Sequence, residues 1–266
     1  MTGRRALLAL VVTLGVAGCA ALRERFPGPD ILFVATPEAV SLEMLKVAAV
    51  TPQDVVFDLG SGDGRVVIAA ARDFGARGVG VEIDPKLVNV SRDAALAAGV
   101  ASRVTFLWQD LFVTDLTGAT VVTLYLRDDV NLKLRPKLLR ELAPGTRVVS
   151  HDFDMADWKP DRVRSVRSRE REHRLYFWVI PARAAGMWQS RVGDGETAPL
   201  VLTQEFQKLG GTLGAQPITG HLRGERVEIV AGTLTLRGVA RGDRIEGEAS
   251  AAGGGAQRWT ALRAQN

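Results

Sequence analysis

A single cysteine, Cys19, in a chain of 266 residues rules out an internal disulfide. His173 and His221 are isolated in the sequence, and with Cys19 the only cysteine, no metal cluster is expected. Charge of one sign is also scarce: the formal net charge is +4, too mild to favour a nucleic-acid partner unless it gathers on one face. Beyond the N-terminal segment there is no long apolar run, and a mean hydropathy of +0.06 excludes a polytopic membrane protein. What is present is a globular composition, 46% hydrophobic and 24% charged, in a chain long enough for one α/β domain plus a small second one.

Residues 1–19 read as an address rather than as part of the fold. Arg4 and Arg5 precede an apolar run from Ala6 to Gly18 that is short for a membrane span and fits a secretory signal. Val16-Ala17-Gly18-Cys19 resembles the bacterial lipobox, whose cysteine is diacylated and becomes the new N-terminus. That resemblance implies a lipid anchor at Cys19 and a periplasm-facing membrane lipoprotein, with Ala20 favouring the outer membrane. The alternative is an uncleaved anchor or a start codon placed too early; without a signal, the protein is cytoplasmic. Residues 20–29 read as a linker.

From residue 30 to residue 182, apolar runs alternate with amphipathic stretches, the pattern of a parallel sheet with crossover helices. A lead-in helix is expected at 38–50, with Thr36 as its N-cap and Pro37 in its first turn. Strands are expected near 55–58, 78–83, 103–108, 119–126 and 146–151, and helices at 64–74, 85–98 and 128–142. Two further strands, near 162–168 and 174–180, follow one another without a helix and read as an antiparallel hairpin at the end of the sheet. Residues 183–266 lack a helical period and show short β-rich pieces broken at Arg223-Gly224, Arg241-Gly242-Asp243 and Gly253-Gly254-Gly255. They read as a small antiparallel barrel or sandwich, with Trp188 and Trp259 as core aromatics.

The strongest motif is Asp58-Leu59-Gly60-Ser61-Gly62-Asp63-Gly64, set between an apolar strand and an amphipathic helix. Glycines there let the chain turn sharply and let a ligand approach bare backbone at a helix N-terminus. A dinucleotide fingerprint would need glycine where Arg65 stands, which demotes a nicotinamide fold. Acidic-x-Gly-x-Gly-x-Gly resembles motif I of class I S-adenosylmethionine-dependent methyltransferases, which implies a seven-stranded Rossmann-like sheet and that cofactor. The resemblance implies that Asp58 holds the cofactor's amino group, with Gly60, Ser61, Gly62 and Gly64 packed against it. Glu82, ending Gly78-Val79-Gly80-Val81-Glu82, can accept both ribose hydroxyls, and Asp110 matches the position that contacts adenine.

Val34-Ala35-Thr36-Pro37, the glycine motif, Gly78-Val79-Gly80-Val81-Glu82 and Leu124-Tyr125-Leu126 together resemble the bacterial and mitochondrial family that includes the lysine methyltransferases of the ATP synthase c-subunit and the adenine nucleotide translocator. That resemblance implies an amine acceptor, a protein lysine, with a small molecule as the alternative. The Asn/Asp-Pro-Pro-Tyr block of adenine and glutamine methyltransferases is missing at Leu124-Tyr125-Leu126. Methyl transfer from a sulfonium needs alignment, exclusion of water and loss of a proton from the nucleophile. Tyr125 and the pair His151-Asp152 are the candidates for orienting the acceptor, with Tyr125 and Asp152 carried forward as catalytic. Thr36 and Glu38 could close over the methionine end. The basic run from Lys159 to Arg174 reads as an exposed edge hairpin, with a basic surface for an acidic partner, RNA or anionic lipid as the alternative. A second reading is a lipoprotein that uses the same fold as a binding scaffold without catalysis.

Overall fold

The computed structural model describes residues 34–169, 171–251 and 254–264. The signal-like segment and the linker lie outside the described residues. In chain order the first part runs α1 (Glu38–Val47), β1 (Val55–Leu59), α2 (Arg65–Phe74), β2 (Arg77–Glu82), α3 (Pro85–Ala97), β3 (Val104–Trp108), β4 (Val121–Leu124), α4 (Asp128–Glu141), β5 (Arg147–His151), β6 (Arg162–Arg167) and β7 (Glu172–Val179). The strands form one seven-stranded sheet in the order β3-β2-β1-β4-β5-β7-β6. The first five are parallel, whereas β7 pairs antiparallel with both β5 and β6. The order reverses between β1 and β4, the topological switch at which open α/β sheets bind ligands beyond their strand C-termini.

Both faces of the sheet are covered, which explains the nearly continuous apolar strands. On one face α1, α2 and α3 pack Met44, Leu45, Val67 and Val88 against Val56, Val104 and Val121. On the other, Leu134 and Leu138 of α4 join Trp158 and Trp178 over Leu59, Val122 and Val148. Helix α3 begins at the expected position 85, where the Asp84 carboxylate accepts from the Lys86 N–H at 2.8 Å and Pro85 takes the first position. Helix α1 does not: Pro37 stands at its N-cap, and the Thr36 hydroxyl lies 3.4 Å from His151 Nδ1 instead of capping the helix. The tertiary partner has displaced the local one.

Residues 186–263 form an eight-stranded antiparallel closed barrel, which decides between barrel and sandwich. Its strands are β8 (Gly186–Val192), β9 (Ala198–Glu205), β10 (Lys208–Leu213), β11 (Gln216–Arg223), β12 (Arg226–Ala231), β13 (Leu234–Arg241), β14 (Arg244–Ala251) and β15 (Gln257–Arg263). Each strand pairs with the next, and β15 returns to β8 through Trp259 opposite Val192, so no edge is left open. Alternating residues such as Val227, Ile229 and Ala231 fill the interior around Trp188 and Trp259. Both indole N–H groups are satisfied, donating at 2.9 Å to the Ala184 carbonyl and the Ser190 hydroxyl.

The barrel is docked on the sheet domain by the turn between β9 and β10. Phe206 in that turn stacks on Trp158 with centroids 6.0 Å apart and lies under the Arg135 guanidinium at 5.2 Å. Beside it, Gln207 Nε2 donates to the Lys159 carbonyl at 2.7 Å. Arg183 reaches back to the Arg140 carbonyl at 2.6 Å.

Candidate active site

At the C-terminal ends of β1, β2, β3 and β4 the structure opens a cavity of about 270 Å³. Its wall includes Asp58, Gly60, Ser61, Glu82, Asp110 and Tyr125, so six of the predicted site residues converge on one space. The convergence follows from the topology: parallel strands bring all their C-terminal loops to the same edge, and the switch between β1 and β4 parts those loops.

The residues are set in place one by one. The Asp58 carboxylate, at the end of β1, is buried and accepts from the Thr123 hydroxyl on the neighbouring β4 at 2.6 Å. Burial pushes its pKa up to about 7, with the Thr123 hydrogen bond opposing the shift and the charges of Glu82 and Asp63 adding to it. Glu82 accepts from the Gly62 N–H at 2.9 Å through Oε2, and from the Ile83 and Asp84 N–H groups at 2.8 and 2.9 Å through Oε1. The tip of β2 and the glycine loop are thereby locked together, and Oε2 keeps a lone-pair direction for a further donor. Asp110 accepts from the Phe112 N–H at 2.8 Å, which folds the loop after β3 around the cavity mouth.

The glycines have separate tasks. Gly60 lines the cavity, whereas Gly64, with φ +79°, faces the other way: a Cβ there would lie 2.6 Å from the Phe106 ring. Gly62 acts through its N–H to Glu82. Ser61 is the informative member of the loop. Its hydroxyl is buried against the cavity and has no hydrogen-bond partner among the described residues. A buried hydroxyl left unpaired costs free energy, so a cavity-lining one points to a polar ligand that completes it.

Sequence reasoning did not single out three further wall residues, Arg65, Gln109 and Phe112. Arg65 is held by Asp63 at 2.5 Å and donates to the Thr36 carbonyl at 2.7 Å, closing the segment before α1 over the glycine loop. Thr36 itself lines the cavity, while Glu38 does not. The Asp63-Gly64-Arg65 spacing carried this signal, since a carboxylate two residues before an arginine can clamp it.

Tyr125 lies on the cavity wall just past β4 and stacks on the His151 ring with centroids 3.9 Å apart. Asp152 is not among the wall residues. Its positive φ of 63° turns the carboxylate onto Arg171, at 2.5 Å, and towards the imidazoles of His151 and His173. His173 is therefore not isolated: its Nδ1 lies 2.8 Å from His151 Nε2 in a buried pair. Burial lowers the His151 pKa to about 4, against the attraction of Asp152 and with help from His173 and Arg171. His221 lies apart, on β11 of the barrel. The basic run begins before β6, continues through the turn into β7 and is partly neutralised, with Arg164 on Glu43 at 3.0 Å and Arg171 on Asp152, while Arg162 lies over the Phe177 ring.

This sheet order, with an antiparallel seventh strand inserted beside β5 and a glycine loop after β1, defines a class I S-adenosylmethionine-dependent methyltransferase. The family model for the ANTKMT methyltransferase domain matches residues 58–162. The protein-lysine N-methyltransferase of Saccharolobus islandicus (strain REY15A) is 42% identical over 153 residues, covering 57% of this chain and 95% of that protein. The adenine nucleotide translocase lysine N-methyltransferase of Mus musculus is 39% identical over 106 residues, 40% of this chain and 46% of the mouse protein. Among solved structures, an RNA methyltransferase from Salinibacter ruber in complex with S-adenosyl-L-homocysteine shares 55% identity at a TM-score of 0.54, covering 57% of this chain and 96% of that one. The chain belongs to the ANTKMT methyltransferase family and is an S-adenosylmethionine-dependent methyltransferase. The family model ends before β8, so the barrel lies beyond it.

Proposed function

We propose that this methyltransferase modifies the side-chain amine of a lysine in a protein. The observation that carries the reading is the match to the protein-lysine N-methyltransferase of Saccharolobus islandicus over nearly that protein's whole length. The acceptor end of the cavity supports it, because Leu124-Tyr125-Leu126 offers no Asn/Asp-Pro-Pro-Tyr block to grip a planar amide or base.

The bound sulfonium supplies an already activated methyl group. In this reading Asp58 holds the methionine amino group, Glu82 the ribose hydroxyls and Asp110 the adenine edge, with the orphan Ser61 hydroxyl completing the cradle. Tyr125 orients the incoming amine and, with Leu126 and Val130, keeps water from it. Asp152 stands behind this wall, its carboxylate 3.3 Å from the His151 ring that stacks on Tyr125 and that His173 holds at 2.8 Å.

The test is calorimetry with S-adenosylmethionine followed by transfer of labelled methyl groups into a cell extract. Expected are binding that Glu82→Ala weakens by at least about tenfold, and label recovered as methyl-lysine. Label recovered in nuclease-sensitive material would favour a second reading, an RNA acceptor, for which the likeness to the RNA methyltransferase of Salinibacter ruber and the arginines of β6 and β7 speak. No helix among the described residues is long and apolar enough to cross a membrane. Anchoring of the protein to a bacterial membrane, facing the periplasm, is proposed on the lipobox-like segment alone. Cys19→Ser should abolish incorporation of labelled fatty acid, and persistent labelling would overturn the anchor.

A further inference from the structure

We infer that His151, Asp152 and His173 form a binding site for one zinc-like divalent cation, behind the Tyr125 wall of the cavity. The inference stands independently of the acceptor proposed above.

The three groups meet because of strand pairing that is remote in sequence. His151 ends β5 and faces Leu175 of the antiparallel β7, and His173 lies two residues along β7, on the same face. Asp152 follows His151 directly, and its left-handed backbone swings the carboxylate back over the pair. A non-glycine residue in that conformation is costly and persists where the surroundings demand it.

The spacing is close to that of a tetrahedral centre, with the two imidazoles now in hydrogen-bond contact. His151 Nε2 and His173 Nδ1 are 2.8 Å apart, His151 Nε2 and Asp152 Oδ2 3.3 Å, and His173 Nδ1 and Asp152 Oδ2 3.6 Å. A cation bound at about 2.0 Å to three tetrahedral ligands separates them by about 3.3 Å, the middle of that range. Only the two nitrogens need to part, by about half an ångström, to admit it.

The outer nitrogens strengthen the case. His151 Nδ1 lies 3.4 Å from the Thr36 hydroxyl, and His173 Nε2 lies 3.0 Å from the Ser168 hydroxyl. Each ring is held from behind and presents its other nitrogen to the common centre, as ligating imidazoles are held in metal sites. Two imidazoles and one carboxylate leave a fourth position for water, and the set suits zinc or a similar first-row ion better than magnesium or calcium. Arg171 is the competitor. Its guanidinium takes Asp152 Oδ2 at 2.5 Å, but the side chain is 49% exposed and can leave for solvent.

The test is zinc titration of the full chain after dialysis against a chelator, read by calorimetry and repeated with cobalt for its tetrahedral absorption bands. One zinc per chain is expected. Affinity should fall at least about tenfold in His173→Ala and Asp152→Asn, and stay unchanged in His221→Ala. Arg171→Ala should bind more tightly, because it removes the competing cation. Absence of zinc binding by the folded wild type, or wild-type affinity in folded His173→Ala, would overturn the site. Should His173→Ala not fold, nitrogen-15 spectra of the wild type decide: zinc must shift two of the three imidazoles, and a shift of fewer overturns the inference.

Discussion

Asp58 and Thr123 are register partners on adjacent parallel strands, and the Thr123 hydroxyl donates to the Asp58 carboxylate at 2.6 Å in the buried wall of the cavity. That bond opposes the burial that raises the Asp58 pKa but does not cancel it. The carboxyl is therefore poised near neutrality, where a cationic ligand group beside it can draw off its proton.

The pH dependence follows with a definite sign. The folded pKa of about 7 lies above the ordinary 3.8, so between those values the folded state binds more protons than the unfolded one. Stability without ligand therefore falls as pH rises through this window, by on the order of 4 kcal/mol at most, and the loss is complete above about pH 7. Asp58→Asn should flatten that part of the stability profile in denaturant titrations. Affinity for S-adenosylmethionine should run the opposite way in the wild type, rising with pH up to about 7, because its ammonium favours the ionised carboxylate. A wild-type profile that matches Asp58→Asn would refute the assignment.

Ser61→Ala separates stability from binding. Removing a buried hydroxyl that has no partner among the described residues should leave the free protein as stable or more so, by about 1 kcal/mol. The same change should weaken S-adenosylmethionine binding about fivefold, since the ligand loses a hydrogen bond of about that worth. Melting temperature and calorimetry on one preparation check both signs, and a destabilised variant with full affinity would place the hydroxyl in a structural role.

Much of this site was legible in sequence because its signals are local. Asp58 through Gly64, Glu82 at the tip of β2 and Asp110 after β3 each sit at the end of an apolar strand, and parallel strands bring such ends together. The His151–His173 pair was not legible, because it depends on β7 inserting between β5 and β6, which no spacing along the chain announces. The Thr36 cap failed for the same reason: His151, far off in sequence, holds that hydroxyl. In the barrel, the turns at Gly224 and Gly242 were visible, but β10, with Gly210 and Gly211 at its centre, and β11, with Pro217, do not look like strands until the barrel closes around them.

Gly64→Ala tests the packing beneath the glycine loop. The new methyl would meet Phe106 at 2.6 Å and the Ser91 Cβ at 2.9 Å, in a backbone conformation that L-residues avoid. A loss of about 2 kcal/mol or more is expected in urea unfolding. Adding Phe106→Leu should recover only part of it, because the steric conflict eases while the strain at φ +79° remains. Full recovery in the double variant would show that the backbone carries no share.

Phe206→Ala addresses the junction between sheet and barrel. The ring touches Trp158 and Arg135 across that junction, whereas within the barrel it sits on a turn. Its removal should therefore cost little to either part and about 2 kcal/mol to their association, below the range for a fully buried phenylalanine because the side chain is half-buried. The wild type is expected to unfold in denaturant as one unit when followed by tryptophan fluorescence, with Trp158 and Trp178 reporting on the sheet and Trp188 and Trp259 on the barrel. In Phe206→Ala the transition should broaden or divide in two, because a barrel closed through β15 and β8 keeps its own core of Trp188, Leu236 and Trp259 when the contact is cut. A single transition merely shifted to lower denaturant would mean that the barrel draws its stability from the sheet.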